Sequence, residues 1–223
     1  MAFLLATVFS SFGAQVGAQA VGFQSAPGRA LPLAVTTGAL LGLWLGLLGG
    51  VFYMSRSRGQ GRLRDDYGWT AKWPIDVVWG LIAGAGTQLV LIPLLYLPFE
   101  RADPTLRRRL DAPAKADTAG VHGGWQIALL FLLLAVGAPV VEELFFRGLL
   151  LRTLRDRLGP IVAVAVSAVA FGLAHFQLLQ LPALVLFGVI LGVLAQRCGR
   201  LGPAVVAHAA FNAITVLTLT LAK

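Results

Sequence analysis

The stretch Gly123–Val141, GGWQIALLFLLLAVGAPVV, carries no charge and runs directly into Glu142-Glu143-Leu144-Phe145-Phe146-Arg147. About 20 apolar residues are enough for a helix to cross the hydrocarbon core of a bilayer. Similar uncharged runs occupy Leu31–Met54, Val77–Phe99 and Ile161–Ala174, and Leu201–Ala222 is broken only by His208. The whole chain is 57% hydrophobic and 13% charged, with a mean hydropathy of +0.80. Soluble domains carry about a quarter charged residues, so this chain requires a non-aqueous solvent. Lipid offers no partner for open sheet edges, and the runs lack the alternation of barrel strands. The expectation is an all-α, polytopic transmembrane bundle of about eight helices, with its active site in the C-terminal half. The spans fall near 2–23, 31–54, 75–97, 125–139, 140–157, 160–176, 181–197 and 203–222.

The formal charge of +8 does not point to nucleic acid. Its basic residues sit in short clusters beside apolar spans, where Lys and Arg set orientation and meet anionic headgroups. The loop 55–74 is basic, with Trp69 and Trp73 suited to the interface, while 98–124 mixes Arg107–Arg109 with Glu100, Asp103, Asp111 and Asp117. One span separates these loops, which places them on opposite sides. If 125–157 crosses once, the first loop shares its side with Arg152, Arg155, Arg157, Arg197 and Arg200, and that side is read as the cytoplasm. Cys198 is the single cysteine, so no internal disulfide exists. The segment 1–23 lacks the basic start of a signal peptide, since no Lys or Arg precedes Arg29, and is read as a first span. Gly42 with Gly46, Gly80 with Gly84, and Gly188 with Gly192 recur at helix-packing spacing.

A continuous helix over 125–157 would measure about 50 Å. Pro139 offers a break, so a kink is expected there, with Glu142 and Glu143 in the turn that follows.

Ionisable groups in membrane helices are disfavoured by about 2.5–3.5 kcal/mol each for Asp, Lys or Arg, and by default mark function. The C-terminal half concentrates Glu142, Glu143, Arg147, His175 and His208, with Asn212 beside them. Glu143 and Arg147 are spaced i,i+4 and share a helix face, whereas Glu142 points about 100° away. One carboxylate is then structural and the other free for chemistry; the alternative is that both bind Arg147. A carboxyl group without a counter-ion in an apolar cavity holds its proton more tightly, which suits a general base near neutral pH. His208 and Asn212 share a face, as do Phe171 and His175. Together these side chains supply a base, two imidazoles for ligation or proton donation, and an amide for an oxyanion.

Glu142-Glu143-x-x-x-Arg147, Phe171-x-x-x-His175 and His208-x-x-x-Asn212 resemble the motifs of the CPBP (CAAX protease and bacteriocin-processing, or Abi) family of intramembrane metalloproteases. The resemblance covers roughly Gly123–Ala222 and divides the chain into N-terminal helices and loops, 1–122, and a protease core, 123–223. It implies an endopeptidase in which Glu142 activates water, with Glu143 also in the site. It further implies that His175, His208 and Asn212 bind the substrate carbonyl, its oxyanion or a metal. In the metal version zinc is held by His175, His208 and Glu142 and supplies an activated water. No HExxH helix is present. The expected partners are membrane lipids and a peptide or membrane-protein substrate, possible CAAX processing included, and not nucleic acid. The expected location is multi-pass in the plasma membrane of a bacterium. Two other readings stay open. One is a non-catalytic scaffold or bacteriocin immunity protein; the other is a proton-coupled transporter, which would predict paired repeats that this sequence does not show. Counting depth along parallel helices leaves His175 and His208 about 14 Å apart, a gap the fold must close.

Overall fold

In a computed structural model, residues 2–24, 31–121 and 123–221 are described. The expected segment ends at residues 1, 122, 222 and 223 lie outside them. The described chain is helical with no strand, and nine continuous helices follow one another. They are α1 (Ala2–Ala20), α2 (Leu33–Arg58), α3 (Leu63–Tyr67), α4 (Ile75–Ala102), α5 (Leu106–Ala119), α6 (Gly124–Leu158), α7 (Pro160–Leu173), α8 (Leu181–Cys198) and α9 (Gly202–Leu221). Five of them, α2, α4, α6, α8 and α9, are long and apolar enough to cross a membrane. The protein is an integral membrane protein.

Two expectations change. The spans 125–139 and 140–157 are one helix, the 35-residue α6, and Pro139 does not break it. The turn before Pro139, residues 132–137, is widened to π geometry, with the Ala138 N–H bonded to the Leu133 carbonyl five residues back. A proline ring normally collides with the carbonyl four residues earlier, and a wider turn moves that carbonyl aside. The same device precedes Pro93 in α4, where residues 87–91 are π-helical and the Ile92 N–H bonds the Thr87 carbonyl. A third wide turn, 144–150, follows the two glutamates. At about 52 Å, α6 outruns the bilayer and carries Arg152, Arg155 and Arg157 out of it.

The second change concerns 160–176. The helix α7 has 14 residues, ends at Leu173, and spans only about 21 Å. His175 lies in the turn beyond it. Its backbone N–H bonds the Gly172 carbonyl, and the ring Nδ1 takes the Phe171 carbonyl at 2.8 Å. The side chain thereby satisfies a carbonyl that a continuing helix would have used. Phe176, at φ 53°, completes the reversal into α8.

Glycine sets the spacing of three helix pairs. Added to Gly188, a Cβ would stand 2.9 Å from the Ala168 Cα, which draws α8 against α7. Gly46 meets Ala6, Gly38 meets Gly13, and Gly17 meets Ala34, so α1 lies antiparallel on α2. Gly80 and Gly84 face Val206 and Ala207 of α9. All three pairs expected from spacing are crossing points, with Gly13, Gly17 and Gly38 added.

The loop 55–74 meets the starts of α4 and α9 and the end of α6. Leu201 N–H donates to Gly68 O at 2.9 Å, Gly202 N–H to Thr70 O at 3.0 Å, and Arg152 Nη2 to Gly199 O at 3.0 Å. Arg200 pairs with Asp76. These contacts put the basic loop on one side with Arg152 and Arg200. Asp66 caps the loop by accepting from the Gln60 N–H at 2.7 Å and from Ser55, and those bonds hold its carboxyl below the usual carboxylate range. Gly159, at φ 78° and ψ 169°, makes the sharp turn from α6 to α7 in a region essentially limited to glycine.

A side chain at Gly84 would enter the backbone of α9, whereas Gly86, two residues on, has open space. Gly84→Val should therefore destabilise the detergent-solubilised protein by about 1–3 kcal/mol. Gly86→Val should leave thermal unfolding almost unchanged.

Candidate functional site

The two glutamates are separated by their positions on α6. Glu143 is fully buried; its Oε1 accepts from Arg147 Nη1 at 2.8 Å and from His208 Nδ1 at 2.9 Å. The i,i+4 pairing expected from the sequence is present, and α9 adds His208 to it. Arg147 is buried too. Its Nη2 donates to the Gly188 carbonyl at 3.2 Å, and its guanidinium lies 4.4 Å from the Phe171 ring centroid. The charge is met by a carboxylate, a carbonyl and an aromatic face, which lets an arginine exist in an apolar core.

Glu142 faces the other way. Its side chain is 15% exposed, and Oε2 lies 3.8 Å from His208 Nε2, too far for a hydrogen bond. That oxygen has no hydrogen-bond partner among the described residues. Glu142 lines a cavity of about 550 Å³ together with His175, His208 and Asn212. The structure thus brings all four expected side chains to one space, with Glu143 and Arg147 sealed behind it.

The depth gap between the histidines is closed by an aromatic ring. Phe171 lies edge-on to both, with centroids 4.7 Å from His175 and 5.6 Å from His208. His208 is also edge-on to Phe187 at 5.5 Å, and Phe187 stacks on Phe211. Both imidazoles are oriented through Nδ1. A carbonyl oxygen only accepts, so Nδ1 of His175 carries a proton and its neutral ring has a bare Nε2. His208 Nδ1 donates to the Glu143 carboxylate in the same way.

Asn212 is fixed by a consequence of Pro139. The Leu134 carbonyl finds no donor at α spacing, because the Ala138 N–H is bonded to Leu133, and none at π spacing, because residue 139 is proline. Asn212 Nδ2 donates to it at 2.8 Å. One N–H and the amide oxygen of Asn212 remain for the cavity.

No group of three His, Cys, Asp or Glu side chains among the described residues stands close enough to ligate one ion. Phe171 stands between His175 and His208, and with both Nδ1 atoms engaged each ring keeps its Nε2 for a further partner.

Sequence reasoning missed the part of the cavity wall that α1 contributes through Phe3, Thr7, Ser10 and Ser11. The polar i, i+3, i+4 spacing of Thr7, Ser10 and Ser11 was the available signal. Phe146 and Phe187 had none, being aromatic residues in aromatic-rich helices.

Residues 124–214 match the family described as type II CAAX prenyl endopeptidase Rce1-like. No curated protein and no solved structure matches the chain.

Replacing Arg147 by methionine leaves Glu143 buried with only His208 to answer it. Arg147→Met should cost about 3–5 kcal/mol in thermal unfolding. The double variant Glu143→Leu/Arg147→Met should recover part of that loss.

Proposed function

Residues 124–214 belong to the CAAX protease and bacteriocin-processing family, and from that premise we propose that the chain is an intramembrane endopeptidase with Glu142 as its general base. The observation carrying this reading is the asymmetry of the glutamates: Glu143 is fully buried with its Oε1 bonded to Arg147 and His208, while Glu142 lines the cavity and bonds neither. Glu142 and His208 line the same cavity with Oε2 and Nε2 3.8 Å apart, so a water admitted there stands beside both side chains.

In the proposed reaction Glu142 takes a proton from that water, and the hydroxide forms a C–O bond to the peptide carbonyl carbon. The carbonyl electron pair moves to oxygen, where the remaining Asn212 N–H donates to it. His208 Nε2 or His175 Nε2 donates as well when its ring is protonated. Donors fixed in advance in a water-poor site are effective because nothing must reorganise as charge develops. Collapse breaks the C–N bond, and the proton held on Glu142 passes to the leaving amine. Glu143 and Arg147 act through His208 as positioning residues.

The largely apolar cavity suits a membrane-embedded or lipid-anchored polypeptide, and C-terminal prenylated peptides, the substrates named in the family description, are the first to assay. The proposed location is a bacterial plasma membrane with the Arg152 and Arg200 side cytoplasmic.

Glu142→Gln should lower cleavage by about 10²–10⁴-fold without changing thermal unfolding. Proteomics of membranes carrying wild type or Glu142→Ala should show fragments that vanish in the variant; identical fragments and an intact cellular phenotype would favour a non-catalytic scaffold. Cleavage by purified protein should also survive chelator treatment. Stoichiometric zinc whose removal abolishes cleavage would give the nucleophile a metal-bound origin instead.

A further inference from the structure

A second cavity, of about 490 Å³, lies between α4, α5, α8 and α9 on the far side of Phe211 from the catalytic cavity. Ala114, Leu184, Phe211 and Thr215 line both spaces and form the partition between them. The outer end of the second cavity carries Glu100, Arg107 and Asp111, on the opposite side of the membrane from Arg152 and Arg200. The catalytic cavity has no such charged rim; Phe3 and Phe176 border it.

Gln88 marks the inner end. It stands in the middle of α4, where a polar group facing hydrocarbon is disfavoured. Its Nε2 donates to Thr215 Oγ at 3.0 Å, but its Oε1 is buried with no hydrogen-bond partner among the described residues. The backbone adds a second acceptor. The Ile92 N–H is bonded to Thr87 O, and residue 93 is proline, so the Gln88 carbonyl lacks a donor at both α and π spacing. The same arrangement in α6 is answered by Asn212, but no side-chain donor to the Gln88 carbonyl is seen among the described residues. Two unanswered acceptors on a cavity-lining residue in mid-membrane are what ordered water satisfies. Thr218 and Thr215 continue the polar line along α9 toward Asn212.

We propose that this second cavity is a water-filled antechamber that feeds the catalytic cavity from the Glu100–Arg107–Asp111 side. Peptide reaches Glu142 through apolar surroundings, and water reaches it past Gln88 and Thr215. The use made of the water rests on the protease reading, but the hydration itself does not.

The test is thiol labelling of the full chain in proteoliposomes with a charged, membrane-impermeant methanethiosulfonate. Cys198→Ser removes the native thiol, and single cysteines are placed at Gln88, at Thr218 and at lipid-facing Val90. Gln88→Cys and Thr218→Cys should react at least tenfold faster than Val90→Cys. Should both react no faster than Val90→Cys, the cavity holds lipid and the proposal fails. Using two positions covers a variant that does not fold. The connection is read with a reporter at Asn212→Cys, whose labelling should slow several-fold when Thr218→Trp fills the antechamber. Unchanged labelling would overturn the feeding role. No substrate enters these measurements, so they fail or succeed independently of whether Glu142→Gln abolishes cleavage.

Discussion

A guanidinium and a carboxylate sealed among aromatic and aliphatic side chains persist only while each answers the other. Arg147 and Glu143 do so inside α6, and the remaining capacity of each organises a different helix. Glu143 reaches α9 through His208, and Arg147 reaches α8 through the Gly188 carbonyl and α7 through the Phe171 ring. Three helices are thereby held in register around one ion pair. Because Phe171 also packs against His175 and His208, the register of the helices and the placement of both imidazoles have one origin.

Proline in a membrane helix has a second use here. Pro93 and Pro139 each follow a widened turn that keeps the helix intact but strands a carbonyl. At Leu134 the stranded oxygen draws in Asn212 and turns its amide toward the catalytic cavity. At Gln88 the stranded oxygen lies beside an unpaired side-chain oxygen and a second cavity. Local backbone irregularity supplies polar anchor points in a solvent that provides none.

Much of the site was legible because helical spacing is rigid. Glu143 and Arg147, four residues apart, had to share a face, and Glu142 had to leave it. His208 and Asn212 had to look the same way. Pro139 misled because its known steric conflict has two resolutions, a break or a wider turn, and only tertiary packing chooses between them. His175 was expected in the last turn of a helix over 160–176 and instead lies just beyond Leu173, where its ring takes the place of a helical donor. Depth counting failed at α7, since a 14-residue helix does not cross the bilayer. The polar spacing of Thr7, Ser10 and Ser11 hinted at a lining face on α1, but its place at the site depends on which helix α2 packs against, a choice made by glycine contacts distant in sequence.

The most direct measurement is an experimental density map of the protein in a lipid nanodisc, at a resolution that shows ordered water. The account predicts Arg147 on Glu143, His208 joining them through Nδ1, and a water within about 2.6–3.2 Å of the Glu142 carboxylate. A map with Arg147 on Glu142, or with an acyl chain filling the space beside it, would contradict it.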